Sequence, residues 1–171
     1  MSGQAIIALG SNLGDRLRHF SNALMALNSA ETQVISTSSI YETEPVGVVG
    51  QSLFLNAACA VNTILTPEEL LERLLSIELA NGRVRTTPNG PRTLDLDLLF
   101  FENEIRTTTQ LILPHPRYLE RDFVCIPLSE LLSIVPLIEN PQWDELRKTL
   151  GHRDTSKGNP IFACRFHAKF A

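Results

Sequence analysis

The sequence of 171 residues has only three cysteines, and none of them lies near another. They are Cys59, Cys125 and Cys164, so there is no CxxC pair to hold zinc. An odd number of widely spaced cysteines also argues against the disulfide framework of a small secreted domain. We therefore expect reduced thiols in a cytoplasmic protein.

Basic residues are not in excess, since 15 Lys and Arg face 19 Asp and Glu, for a formal net charge of −4. Nonspecific nucleic-acid binding depends on excess positive charge, so this balance predicts no nucleic-acid partner. Aromatic residues make up 6% of the chain, which is few for an RNA-binding sheet with exposed rings. This charge balance does not exclude a local basic pocket for a phosphate ligand.

Long apolar runs are also missing. No run approaches the roughly 18–20 residues that span a bilayer, so we expect no membrane partner. The N-terminal stretch MSGQAIIALGSN has neither the basic region nor the long apolar region of a signal peptide.

What is present has the composition of a folded domain, with 43% hydrophobic and 20% charged residues. A globule of this length buries about 70% of the surface of its unfolded chain, so it can fold without metal or disulfides. We expect one domain over residues 1–171, a monomer, with about 151–171 as a loosely assigned tail.

Hydrophobic periodicity predicts the order β-α-β-β-α-β. The expected strands cover residues 4–10, 33–43, 52–63 and 92–101, and the expected helices cover about 15–27 and 67–81. Thr66-Pro67-Glu68-Glu69 has the pattern of a capping box with proline at the first helical position. Pro- and Gly-containing loops are expected at 44–51 and 82–91, and short helical pieces at about 117–133 and 142–150. This order is typical of an α+β, ferredoxin-like fold, an antiparallel sheet with helices packed on one face.

The most informative stretch is RTLDLDLL at residues 92–99. Its alternation predicts Asp95 and Asp97 on one strand face and leucines on the other, with the two aspartate Cα atoms roughly 6–7 Å apart. Carboxylates so spaced can converge on a pair of magnesium ions, which take their other ligands from phosphate and water. A solvated acidic strand edge is the alternative interpretation.

Cationic residues surround this stretch in the sequence: Arg83, Arg85, Arg92, His115 and Arg121. Arginine binds phosphate through two parallel donors, and metal-binding acids beside such arginines are typical of phosphoryl-transfer sites. Ordinary surface ion pairs are the alternative for each arginine.

Two further patterns are less specific. Gly10 to Asp15 superficially suggests a phosphate-binding loop, but the required GxxxxGK[ST] pattern is absent, so a strand-to-helix turn is favoured. Phe54, Asn56 and Phe123 could sandwich a flat heterocycle and bind its edge, although phenylalanines are more often core residues.

Six segments together form a specific pattern that runs in order over about residues 5–130. They are ALGSNLGDR at 8–16, YETEPVG at 41–47, FLNAACAV at 54–61, GRVR at 82–85, GPRTLDLDLLF at 90–100 and LPHPRYLERDFVCIPL at 113–128. This pattern resembles the 6-hydroxymethyl-7,8-dihydropterin pyrophosphokinase family of folate biosynthesis. The resemblance implies a catalytic domain that transfers the β,γ-pyrophosphoryl unit of ATP to the pterin hydroxymethyl oxygen and releases AMP.

The resemblance also implies residue roles. Asp95 and Asp97 would hold two magnesium ions, while Arg83 and Arg92 would stabilise the transferring group. The pterin would contact Thr43, Pro45, Val46, Gly47, Phe54, Asn56 and Phe123. ATP would contact Leu71, Leu75, Glu78, Arg85, Arg92, Leu98, Leu111, Ile112, His115 and Arg121. The loops at 44–51 and 82–91 would close over the substrates and exclude water.

Two other functions remain possible at this point. A regulatory domain on the same fold would bind a nucleotide or pterin without catalysis, and the aspartate pair would then be idle. An RNA-binding sheet is the other alternative, against which charge and aromatic content argue.

Overall fold

The computed structural model describes residues 3–46, 50–84, 90–135, 137 and 140–151. The strands are β1 (Gly3–Ser11), β2 (Thr32–Thr37), β3 (Tyr41–Thr43), β4 (Phe54–Thr63), β5 (Asp95–Phe101), β6 (Arg106–Thr107) and β7 (Ile112–Leu113). The helices are α1 (Arg16–Leu27), α2 (Pro67–Ala80), α3 (Asp122–Ile134) and α4 (Pro141–Gly151), with a short 3₁₀ turn at Tyr118–Glu120. The predicted β-α-β-β-α-β order is confirmed.

The main sheet is antiparallel in the order β2-β4-β1-β5, and β3 also pairs with β4. β1 is therefore central, with β4 on one side and β5 on the other. β6 and β7 form a separate two-stranded sheet. This arrangement is the ferredoxin-like fold that the sequence predicts.

The strand predicted at 33–43 is divided into β2 and β3, because hydrogen bonds that involve side chains replace the regular strand pairing between them. The Ser38 amide donates to Ala58 O at 2.8 Å, and the Ala58 amide donates to Ser38 Oγ at 2.9 Å. Glu130 on α3 then accepts hydrogen bonds from the amide and the hydroxyl of Ser39 and from the hydroxyl of Tyr41. These bonds interrupt the strand and attach this part of the chain to α3.

The two helices of the βαββαβ unit pack on one face of the sheet, as predicted, and the C-terminal helices cover the other face. α1 and α2 pack on one face, in a core that includes Phe20, Leu70 and Leu74. α3 and α4 cover the other face, with Leu128 and the buried Trp143 in that second core. The sequence predicts only short helical pieces at about 117–133 and 142–150. Their apolar side chains cover the second face of the sheet.

An irregularity in β5 changes which residues face which layer. Ile6 pairs with Phe100 but Ile7 pairs with Leu98, so Leu99 is an extra residue in β5. Leu99 and Phe100 consequently both pack in the core under α3 and α4.

Upstream of this irregularity the predicted alternation holds. Leu96 and Leu98 pack in the core under α1 and α2, whereas Asp95 and Asp97 lie on the opposite face and are partly buried. The two aspartates therefore lie on the same face as α3, where β5 begins.

Local sequence signals fix the starts of α1 and α2. The Asp15 side chain caps α1 by accepting from the Arg18 amide at 3.1 Å. Thr66 and Glu69 form the predicted capping box of α2.

In the part of the chain that the structure describes, no helix has both the length and the apolar character to cross a bilayer. The cytoplasmic location, the monomeric state and the single-domain extent over 1–171 stay predictions.

We expect Cys59 to react with thiol reagents only when the chain unfolds. Cys59 is fully buried on β4, and this burial raises the pKa of its thiol to about 12, so the reactive thiolate is scarce at neutral pH. The measurement is labelling with a chromogenic disulfide across a urea series, using a variant with Cys125→Ala and Cys164→Ala. Labelling in native buffer at the rate of a free thiol would contradict this expectation.

Candidate active site

A row of three residues crosses the sheet at one end of β1. Gly10 pairs with Asn56 on β4 and with Asp95 on β5, so all three share the face that carries α3. A Cβ on Gly10 would lie 3.5 Å from Asn56 Oδ1 and 3.6 Å from the Asp95 Cβ. Because glycine has no side chain, the backbone of Gly10 forms an uncovered floor between the Asn56 amide and the Asp95 carboxylate. This role depends on strand register, so no local sequence pattern indicates it.

The two aspartates have different cationic partners. Asp95 accepts from Arg83 at 2.5 Å and from Arg92 at 2.7 Å, one guanidinium at each carboxylate oxygen. Asp97 lies 3.9 Å from Arg121 at the start of α3. The structure thus brings together both predicted metal-binding acids and three of the predicted arginines.

Burial and charge shift the titration of the groups around Asp97. Burial and, after it, the negative charge of Asp95 raise the pKa of the Asp97 carboxyl. Burial lowers the pKa of the His115 imidazole, and the attraction of Asp97 only partly opposes this. The Arg117 amide donates to His115 Nδ1 at 3.2 Å, so a neutral ring carries its proton on Nε2.

Glu78 connects α2 to this cluster. Its buried carboxylate accepts from the Leu96 amide at 2.7 Å and from the Arg83 guanidinium. Glu78 therefore holds Arg83 beside Asp95, while the contact with ATP that the resemblance implies stays a prediction.

Two phenylalanines lie beside the site arginines. The Arg92 guanidinium carbon is 5.5 Å from the centre of the Phe54 ring, and that of Arg121 is 5.7 Å from the Phe123 ring. Arg92 Nε is buried and has no hydrogen-bond partner among the described residues. A buried donor of this kind is costly unless an acceptor joins it, so it points to an anionic ligand.

The remaining residues predicted to bind pterin lie around the ends of β3 and β4. The Asn56 amide donates to Thr43 Oγ1 at 2.8 Å, which orients the Asn56 side chain. Pro45 is partly buried, and Val46 is exposed. Gly47 lies outside the described residues.

The residues predicted to line the nucleotide site divide into two groups. Leu98 and Leu111 are buried in the core under α1 and α2, and Leu71 packs against it. Leu75 and Ile112 are exposed. Arg85 lies outside the described residues, so its predicted role has no structural description.

The donor set at Asp95 and Asp97 fits magnesium. Within residues 3–46, 50–84, 90–135, 137 and 140–151, no group of three or more His, Cys, Asp or Glu side chains could hold a metal ion. Two carboxylates alone suit magnesium, which takes its other ligands from phosphate and water, better than zinc, which takes at least three protein ligands.

Comparison with known proteins places these features in a family. Residues 6–133 match the model of 7,8-dihydro-6-hydroxymethylpterin-pyrophosphokinase. A 2-amino-4-hydroxy-6-hydroxymethyldihydropteridine pyrophosphokinase from Bacillus subtilis is 50% identical over 136 residues, covering 79% of this chain and 81% of the relative. One of the same name from Haemophilus influenzae is 39% identical over 157 residues, covering 91% and 98%.

The fold is also similar to that of solved structures. The crystal structure of Plasmodium falciparum HPPK-DHPS wild type with SDX-DHP superposes with a TM-score of 0.61 at 15% identity. The match covers 87% of this chain but only 44% of that longer chain. It confirms the fold, while the family follows from the sequence matches: this chain belongs to the 7,8-dihydro-6-hydroxymethylpterin-pyrophosphokinase family.

Proposed function

We propose that this protein transfers the β,γ-pyrophosphoryl unit of ATP to the hydroxymethyl oxygen of 6-hydroxymethyl-7,8-dihydropterin, a reaction of folate biosynthesis. The hydroxyl gives its proton to solvent water as its oxygen bonds to the β-phosphorus. The bond between that phosphorus and the α–β bridging oxygen breaks, and AMP leaves. The family match and the names of the two bacterial relatives support this reaction.

One observation carries the proposal. Asp95, with Arg83 and Arg92 on its two oxygens, borders the uncovered floor at Gly10, and Asn56 borders the same floor from the other side. Charge that can bind phosphate thus lies beside an amide that can bind a heterocycle. A transfer between these two kinds of substrate needs that juxtaposition.

On the pterin side, Phe54 and Phe123 would supply flat apolar faces for stacking. Thr43 takes one hydrogen of the Asn56 amide, which leaves the Asn56 Oδ1 near Gly10 to accept from the edge of the ring. Backbone groups at Thr43 and Val46 would complete recognition.

On the phosphate side, the donor groups are fixed before the substrate binds. The unpartnered Arg92 Nε would donate to a phosphate oxygen. Arg121 and the Nε2 proton of His115 lie at the Asp97 end of the site and would bind the other phosphates. Arg83 is held by Glu78, so little motion is needed to present its charge.

Asp95 and Asp97 would hold two magnesium ions together with the phosphates of ATP. When bound, these ions would neutralise phosphate charge and polarise the reacting oxygens. Arg83 and Arg92, which bond to the two oxygens of Asp95, would share that carboxylate with the metal and keep their positive charge beside the transferring group.

Apart from the two metal-binding carboxylates, we assign no histidine or carboxylate as general base. A primary alcohol that is aligned with the β-phosphorus needs positioning more than a strong base. We therefore expect most of the rate to come from in-line alignment and charge neutralisation.

The test is a product assay with purified protein, ATP, magnesium and 6-hydroxymethyl-7,8-dihydropterin, in which nucleotides are separated by chromatography. We expect AMP only when both pterin and magnesium are present, and no AMP with EDTA. Formation of ADP instead would contradict pyrophosphoryl transfer. Folded protein that binds ATP but makes no AMP would favour the alternative of a binding domain without catalysis.

A further inference from the structure

We propose that Asn12 is a positioning residue that sets the spacing between the arginine side and the phenylalanine side of this site, an inference that rests on the proposed function. Asn12 follows the last residue of β1 and is 3% exposed. It belongs to the GSNLGD segment, which the sequence analysis assigned only to a turn.

On the β5 side, Asn12 binds the backbone of Arg92. The side-chain Oδ1 of Asn12 accepts from the Arg92 backbone amide at 2.8 Å, and the backbone amide of Asn12 donates to Arg92 O at 3.1 Å. The neighbouring Ser11 hydroxyl donates to Thr93 O at 2.6 Å. The chain just before Asp95 is thereby fixed to the end of β1.

On the β4 side, the same side chain binds the segment that leads into Phe54. Asn12 Nδ2 donates to Gln51 Oε1 at 2.9 Å and to Ser52 O at 3.3 Å. One buried amide thus uses its acceptor toward β5 and its donor toward β4. Alanine has neither group.

This bridge lies where the β-ladder has ended. The last pairs are Ser11 with Leu55 and Gly10 with Asp95, so strand hydrogen bonds do not fix the chain before Phe54 relative to the chain before Asp95. The side chains of the two segments nevertheless meet, since the Arg92 guanidinium carbon lies 5.5 Å from the centre of the Phe54 ring.

That spacing matters for the proposed reaction. Phe54 would stack on the pterin and Arg92 would bind the transferring phosphates, so their separation affects how the hydroxyl meets the β-phosphorus. A misplacement of about 1 Å at reacting groups can cost about 100-fold in rate. Asn12 touches neither substrate in this scheme and acts only through Arg92 and the segment before Phe54.

The experiment compares Asn12→Ala with a matched control, Asn140→Ala. Asn140 is also buried and also uses both ends of its amide: Nδ2 donates to Asn103 Oδ1 at 3.0 Å, and Oδ1 accepts from the Gln142 amide at 2.9 Å. It lies just before α4, and its partner Asn103 follows the end of β5 that is opposite to Asp95. Both variants should lose thermal stability, so stability alone does not separate them.

Kinetics separate them. We expect Asn12→Ala to lower kcat and raise the pterin KM, with a combined loss of about 10- to 100-fold in kcat/KM, while Asn140→Ala keeps wild-type values. Equal kinetic constants for the two variants would overturn the proposal.

If Asn12→Ala does not fold, Gln51→Ala removes one acceptor of the Asn12 amide, and we expect about a threefold rise in pterin KM. An unchanged KM in that variant would then overturn it.

Hydrogen exchange distinguishes a failure of this inference from a failure of the proposed function. Without substrate, the amides of residues 51–53 and 92–93 should exchange faster in Asn12→Ala than in Asn140→Ala. A wild-type protein that makes no AMP refutes the proposed function, whereas unchanged exchange at both segments refutes the anchoring by Asn12.

Discussion

Replacing Asp97 by asparagine is expected to lower kcat by about 10³-fold without lowering the free energy of unfolding. The activity loss follows because asparagine binds magnesium weakly and cannot neutralise its charge. The proposed ions supply several kcal/mol of transition-state stabilisation, and a loss of about 4 kcal/mol corresponds to about 10³-fold in rate.

The expected stability has a separate cause. Burial and the charge of Asp95 raise the pKa of Asp97, so the ionised carboxylate is less stable in the folded protein than in the unfolded chain at neutral pH. Asparagine has the same shape without this penalty. Among the described residues Arg121 pairs with Asp97 at 3.9 Å, and an ion pair that long and partly exposed contributes little.

The measurement pairs steady-state kinetics over a magnesium series with urea unfolding at neutral pH in the presence of a chelator. Asp144→Asn, on α4 and ion-paired with Arg147, is the control for removal of a carboxylate outside the site. Wild-type kcat in Asp97→Asn would refute the assignment. So would a loss of several kcal/mol in stability, because it would make Asp97 a structural residue.

Replacing Arg92 by alanine is expected to lower kcat/KM by about 10³-fold, the lower end of what a transition-state arginine contributes in phosphoryl transfer. Arg92 is the residue that joins the two sides of the site. It binds Asp95 at 2.7 Å, lies over Phe54, and keeps a buried Nε without a partner among the described residues. We therefore expect its removal to weaken the proposed binding of both the phosphates and the pterin.

Arg92→Lys should recover little of this activity. An ammonium group is a compact point charge, without the planar set of donors and the stacking surface of a guanidinium. Stability should fall by only about 1 kcal/mol in either variant, because the ion pair is partly exposed and Arg83 remains on Asp95.

Arg147→Ala is the matched control, since the Arg147 guanidinium, like that of Arg92, pairs with a carboxylate three residues away but lies on α4. We expect its kcat/KM to equal that of the wild type. A lysine variant at position 92 with full activity would show that charge alone suffices there, and would contradict the role given to the planar guanidinium.

The sequence by itself determined the element order, the starts of α1 and α2, and the family. The β-α-β-β-α-β order and the Thr66–Glu69 capping box follow from residues a few positions apart, because periodicity and capping are local properties. The placement of Asp95 and Asp97 on one face also follows from the two-residue period of a strand. These predictions are confirmed, and the family assignment is confirmed by the matches over residues 6–133.

Only the tertiary structure decided what surrounds those aspartates. The pairing of Arg83 and Arg92 with Asp95, the uncovered floor at Gly10 and the bridge through Asn12 depend on strand register and loop closure. Asn12 and Arg92, for example, are 80 residues apart in sequence. The position of α3 and α4 likewise depends on the apolar face of the sheet that α1 and α2 leave uncovered. Such contacts follow from how the elements pack, and no local pattern encodes them.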